Sequence, residues 1–148
     1  MTNATAGRFQ HSIEAWLFRA GAYDRRVLLL KVRAEPGAHP GFWQPVTGGV
    51  QPGEPAEQAC LREIAEETSL RLSPHVLTVV MDSFDVAISP ELTVRKRVFA
   101  APAPPGAVRV APDEHEDHRW VSSEAVEGWL YWASNRTTWA HVRARLRC

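Results

Sequence analysis

Apolar positions fall into short runs separated by turn-forming residues. Ile13-Glu14-Ala15-Trp16-Leu17-Phe18 and Val27-Leu28-Leu29-Leu30-Lys31-Val32 are each strand-sized and are bounded by Gly21 and Pro36. They predict two strands, the second well buried, joined through the turn Gly21-Ala22-Tyr23-Asp24. Residues 35–41 combine two prolines with two glycines and predict a loop. Phe42-Trp43-Gln44-Pro45-Val46 predicts a short strand ended by Gly48 and Gly49. A helix of about four turns follows, with Pro55 suited to its first position and Ala59, Cys60, Leu61 and Ile64 forming its apolar stripe. Residues 76–80 and 93–99 predict further strands, 102–106 a loop, and 118–121 a last strand. Ser122 or Ser123 is placed to cap a short helix from Glu124, and Asn135 another running towards Leu146. Strands and helices mix without a strict βαβ rhythm, which predicts an α/β (α+β) fold, a mixed sheet covered by helices.

Composition narrows the function classes. A chain of 148 residues suits one domain over 1–148. Lys plus Arg and Asp plus Glu are equal at 17 each, so no global field draws the protein to a nucleic acid polymer or an anionic membrane. No apolar run approaches the roughly 18 residues of a membrane span. The opening MTNATAGRFQ lacks the apolar core of a secretory signal. Cys60 and Cys148 make a poor disulfide framework, Cys60 reading as a small buried residue and Cys148 as a loose terminal thiol. A reduced, cytoplasmic protein is expected, either monomer or homodimer.

The helix from Pro55 breaks a local rule. Glu63, Glu66 and Glu67 share one face through spacings of three and four, and they lie in the final turns, where the helix dipole favours cations. Each effect costs about 0.3–1 kcal/mol and all have the same sign. A solvated acidic face with an Arg62–Glu66 pair would explain the triplet alone. The tight loop containing Gly48, Gly49 and Gly53 adds backbone that can come close to the helix. Three carboxylates beside main-chain oxygens form an all-oxygen site suited to Mg²⁺ or Mn²⁺, and such cations would remove the repulsion.

The stretch GGVQPGEPAEQACLREIAEETSL resembles the Nudix box. That pattern is Gly, five residues, Glu, seven residues, Arg-Glu, a hydrophobic residue, any residue, Glu-Glu, any residue, Gly and a hydrophobic residue. Gly48, Glu54, Arg62, Glu63, Ile64, Glu66, Glu67 and Leu70 fall in register over residues 48–70. Ser69 departs from it, standing where the family has Gly; a left-handed conformation there would cost Ser about 1 kcal/mol. The resemblance implies a mixed sheet sandwiched between helices (α/β/α) and hydrolysis of a phosphoanhydride bond with a divalent metal. It implies Glu63 and Glu67 as main metal ligands and Glu66 as a further ligand, direct or through water. Arg62 would hold a carboxylate, Glu54 would brace the loop, and main-chain oxygen near Thr47 or Gly48 would complete the shell. Metal ions neutralise the pyrophosphate oxygens that otherwise repel a nucleophile, and they activate water for in-line attack. The family often needs a carboxylate outside the box as base or extra ligand; Glu114 is the first choice and Glu116 the alternative.

Phe42-Trp43-Gln44-Pro45-Val46-Thr47-Gly48, Glu114-His115 before Trp120, and Trp132-Ala133-Ser134-Asn135-Arg136 resemble a bacterial Nudix subgroup. Its members hydrolyse dihydroneopterin triphosphate and some nucleoside triphosphates, releasing pyrophosphate and a monophosphate. The implied substrate contacts are Trp43 or Phe84 on a ring and Lys31, Arg33, Arg95 or Arg97 on phosphates, with Thr47 and Asn135 in the same set. Core packing would explain each aromatic, a solvent-facing strand edge Arg95 and Arg97, and a helix cap Asn135. The six histidines show no transition-metal spacing, and His115 and His118 read as surface loop residues. Two other readings remain: hydrolysis of a dinucleoside polyphosphate or damaged nucleotide, and a nucleotide-sensing module without turnover.

Overall fold

A computed structural model describes residues 7–147. Strand β1 (Arg8–Ala20) pairs in parallel with β6 (Leu92–Pro102) along its length. Its other edge is shared, antiparallel, by β2 (Arg25–Val32) near the C-terminal end and by β4 (Val46–Gly49) nearer the N-terminal end. β2 continues the sheet to β3 (Phe42–Gln44) and β7 (His115–Ser122), and β6 continues it to β5 (Thr78–Ser89). The seven strands thus form one mixed sheet.

Alternation along β1 gives the sheet two apolar faces. Ile13, Ala15 and Leu17 join Leu28, Leu30, Val46 and Phe99 under Ala59, Cys60 and Ile64 of helix α1 (Ala56–Thr68). Trp16, Val27, Leu29, Val98 and Val121 form the opposite core with Val126 of α2 (Val126–Trp129) and Trp139 and Val142 of α3 (Ala133–Leu146). Trp16 and Trp139 are its largest members, with ring centroids 5.3 Å apart. The helix–sheet–helix sandwich is the predicted architecture.

Several boundaries differ from the sequence reading. The expected strand 42–46 is two strands, because Pro45 interrupts the ladder and the halves pair with different partners. Residues 74–76 form a single 3₁₀ turn, and the strand expected over 76–80 runs on to Ser89 through three register shifts. Such bulges blur the two-residue period that would have revealed it. Neither serine nor asparagine caps a helix: α2 starts after Ala125 and α3 after Trp132, and no side chain bonds either start. Cys60 is buried and free as expected, whereas Cys148 and the first six residues lie outside the described residues.

Candidate active site and metal centre

Pro55 sits just before α1 rather than in it, with ψ at 147°. About two turns later, Arg62 gathers the loop. Its Nε and Nη2 each donate to a Glu54 oxygen at 2.9 Å, and Nη2 also donates to the Gly49 carbonyl at 2.9 Å. Its Nη1 donates to Glu63 at 2.8 Å and to Glu66 at 3.3 Å. A planar guanidinium suits this fork. Glu54 in turn accepts the Gln51 amide at 3.1 Å, so loop and helix form one hydrogen-bonded unit. The Arg62 bonds, aided by that amide, hold the Glu54 carboxyl down to about 2. Glu54, ahead of Glu63, pushes the Arg62 guanidinium further up.

Glu63 is pressed against Gly48. A Cβ on that glycine would fall 2.1 Å from the Glu63 carboxyl carbon and 2.4 Å from either oxygen. Only glycine leaves room for a carboxylate against the main chain here.

Glu67, one turn on, is 2% exposed. Its Oε2 is buried without a partner, and its Oε1 lies 3.5 Å from His115 Nε2. Burial, then the charges of Glu63 and Glu114, push its carboxyl up to about 10, opposed by the Thr47 main chain. Burial and the charges of Glu63, Asp113 and Glu66 also raise Glu114, while burial lowers His115. Ligand atoms of Glu67, Glu114 and His115 lie within 4.8 Å of one another. These groups fit a divalent cation: carboxylates that repel one another, a donor oxygen with nothing to bond, and main chain alongside.

Ser69 confirms the expected left-handed helix end, with φ 67° and its amide bonded to the Ala65 carbonyl. Its hydroxyl also donates to the Arg109 carbonyl at 3.2 Å.

His115 corrects the sequence reading: it is 3% exposed, not a surface loop residue. The cause is a bulge. Leu30 pairs with His118 and Lys31 with Asp117, but Val32 pairs with His115, leaving Glu116 as the extra residue. Strict alternation would have put Glu116 on the α1 face; the bulge puts His115 there instead. Glu116, the alternative outer carboxylate, is held by Lys31 at 3.2 Å and Arg33 at 4.0 Å.

Ladder register sorts the remaining candidates by face, since directly opposed residues share one. Thr47 opposes Glu14, and its hydroxyl donates to the Ile13 carbonyl at 3.0 Å. Trp43 opposes Lys31 and meets Trp129 edge-on at 5.3 Å. Phe84 opposes Lys96, whose Nζ lies 3.1 Å from Glu14. Asn135 is not a cap: its Nδ2 donates to Glu14 at 2.8 Å, beside the Trp16 indole on the other Glu14 oxygen at 2.9 Å. Lys31, Trp43, Thr47, Phe84 and Asn135 therefore share the α3 face. Fully buried Glu14, which sequence reasoning passed over, anchors part of it.

Arg97 is on the other face, paired with Glu57 at 2.9 Å and Asp82 at 3.2 Å. Arg95 is bound twice by Asp85, at 2.8 and 2.9 Å, over the Phe9 ring. Both line an open groove of about 860 Å³ beside the 49–54 loop; Glu63, Glu67 and Glu114 are not among its lining residues. The structure thus separates Arg97 from the other proposed substrate contacts. In β4, Thr47 is turned to one face and Gly48 to the other.

A mixed sheet lies between helices, and a carboxylate-bearing helix is locked to a glycine loop. The NUDIX domain model matches residues 11–141, and the chain belongs to that family as a Nudix hydrolase. It is 30% identical over 122 residues to dihydroneopterin triphosphate diphosphatase of Escherichia coli, covering 76% of this chain and 79% of that protein. It is 32% identical over 108 residues to nucleoside triphosphatase NudI of Escherichia coli, covering 68% and 76%. A match of 40% over 100 residues to an octanoyltransferase of Myxococcus xanthus covers 66% of this chain but only 27% of that protein. Among solved structures, the E. coli dihydroneopterin triphosphate pyrophosphohydrolase aligns with TM-score 0.66 at 26% identity, over 88% of this chain and 94% of that one. No helix among the described residues is long and apolar enough to cross a membrane.

Proposed function

We propose that the protein hydrolyses a pterin or nucleoside triphosphate to a monophosphate and pyrophosphate, with Mg²⁺ or Mn²⁺ as cofactor. The observation that carries this is the buried Glu67 oxygen without a partner, set among repelling carboxylates that Arg62 and Gly48 hold together. The names of the two similar E. coli enzymes support the substrate class.

Glu63, Glu67 and the Gly48 carbonyl are the principal cation donors, with Glu66 as a further donor, direct or through water. A divalent cation there would offset the substrate's phosphate charge and aid ionisation of water. Arg62 and Glu54 position the donors without touching substrate. Glu114 accepts the proton of the attacking water or adds a donor; burial and neighbouring charge raise its pKa, which makes it a stronger base than an ordinary carboxylate. Water adds to the phosphorus nearest the organic group, the bond to the next bridging oxygen breaks, and pyrophosphate leaves. On the α3 face, Phe84 or Trp43 meets the ring, Lys31 and Arg33 lie towards phosphate, and Thr47 and Asn135 complete the contacts.

The test is a product assay with Mg²⁺ on dihydroneopterin triphosphate, the deoxynucleoside triphosphates and diadenosine polyphosphates, reading phosphate and pyrophosphate separately. Pyrophosphate from a triphosphate is expected. Cleavage confined to diadenosine polyphosphates would support the alternative hydrolase reading. Tight nucleotide binding without product would support the sensing module.

A further inference from the structure

We infer that His115 is a nitrogen donor to the cation site, so that this protein holds first-row transition cations more tightly, relative to Mg²⁺, than its carboxylates alone would. The inference rests on the cation-dependent reading above and adds a ligand that the box pattern does not contain.

His115 is pinned beside the carboxylates by the β7 bulge, and 3% of it is exposed. Its Nδ1 is buried with no hydrogen-bond partner, and Nε2 has only the 3.5 Å approach to Glu67 Oε1. That spacing exceeds the roughly 2.7–3.2 Å of an N–H···O hydrogen bond. It is close to the edge of a coordination shell: bonds of about 2.1 Å at right angles put neighbouring donors about 3 Å apart. Closing the 4.8 Å envelope around Glu67, Glu114 and His115 to such a shell takes side-chain shifts of about 1 Å each. Burying an imidazole nitrogen without a hydrogen bond is unfavourable. A cation among the three groups would give the orphaned Glu67 oxygen a partner and engage one ring nitrogen, Nε2 being the one that faces Glu67.

The choice of cation follows from donor chemistry. Carboxylate and carbonyl oxygens suit Mg²⁺ and Mn²⁺, and imidazole favours ions later in the first-row series. Replacing the ring with an amide therefore weakens Co²⁺ more than Mn²⁺, and Mn²⁺ more than Mg²⁺.

The test is pulsed electron paramagnetic resonance on the full chain loaded with Mn²⁺, alongside calorimetric titrations with Mg²⁺, Mn²⁺ and Co²⁺. Wild-type protein should show a directly bound nitrogen that changes on ¹⁵N-histidine labelling and disappears in His115→Asn. Co²⁺ affinity should fall about tenfold or more in that variant, with a change of about threefold or less for Mg²⁺. Labelled wild-type protein keeps the test valid if the variant does not fold. Bound Mn²⁺ without nitrogen coupling would overturn the role of His115 and leave the cation site standing. Failure to bind any of the three cations would overturn both.

Discussion

Replacing Gly48 by alanine tests how a single methyl group acts on the site. Gly48 is not among the residues with positive φ, so alanine meets no backbone strain. The three nearest atoms to the new Cβ all belong to Glu63: it lies 2.1 Å from the carboxyl carbon, where ordinary contact begins near 3.4 Å. The carboxyl group must retreat by at least the difference, about 1.3 Å, leaving its 2.8 Å contact with Arg62 and its place against the main chain. The stability cost is small, because a partly exposed ion pair is worth about 0.2–1 kcal/mol, or up to about 4 °C in Tm here. The catalytic cost is large, since misplacing a group by about 1 Å can lower the rate 100-fold. Gly49→Ala is the control, as nothing lies within 4 Å of where its methyl group would sit. Pyrophosphate release and thermal melting should show Gly48→Ala folded and slowed about 100-fold, with Gly49→Ala within about threefold of wild type. Equal rates for both would refute the claim that Gly48 exists to admit Glu63.

Glu67→Gln should abolish cation binding and lower turnover by several orders of magnitude while leaving the cation-free melting temperature at pH 7 within a few degrees. With its carboxyl pushed up to about 10, Glu67 is protonated at neutrality and glutamine nearly matches its shape. From about pH 4.5 to about pH 10, the folded state keeps a proton that the unfolded chain has lost. Cation-free stability should therefore fall with rising pH, by up to about 1.4 kcal/mol per unit from this group, and the slope should flatten in Glu67→Gln. Urea unfolding against pH measures it. Lys96→Met removes a cation from fully buried Glu14 and should cost about 3–5 kcal/mol in urea unfolding, much of it restored by adding Glu14→Gln. Ser69→Gly should relieve the left-handed φ of 67°, worth about 1 kcal/mol, while losing the hydroxyl bond to the Arg109 carbonyl, so Tm should change by no more than about 2 °C.

What the sequence disclosed was local. The box lies within 23 consecutive residues, so Arg62, Glu63 and Glu67 could be placed on one helix from spacing alone. Even the left-handed end at Ser69 followed from a single departure in the pattern. Long-range and irregular features stayed hidden. Glu14 looked like one charge in an apolar strand, because its partners Lys96 and Asn135 lie 82 and 121 residues away. His115 was hidden by a bulge that no two-residue period announces. Arg97 was grouped with Lys31 because sequence does not say which face of a sheet a strand presents.

A crystal grown with Mn²⁺ and measured at the manganese absorption edge tests the central claim most directly. An anomalous peak should appear between Gly48, Glu63 and Glu67, with the orphaned Glu67 oxygen turned onto it. Data showing manganese elsewhere, and Glu67 still buried without a ligand, would contradict the account.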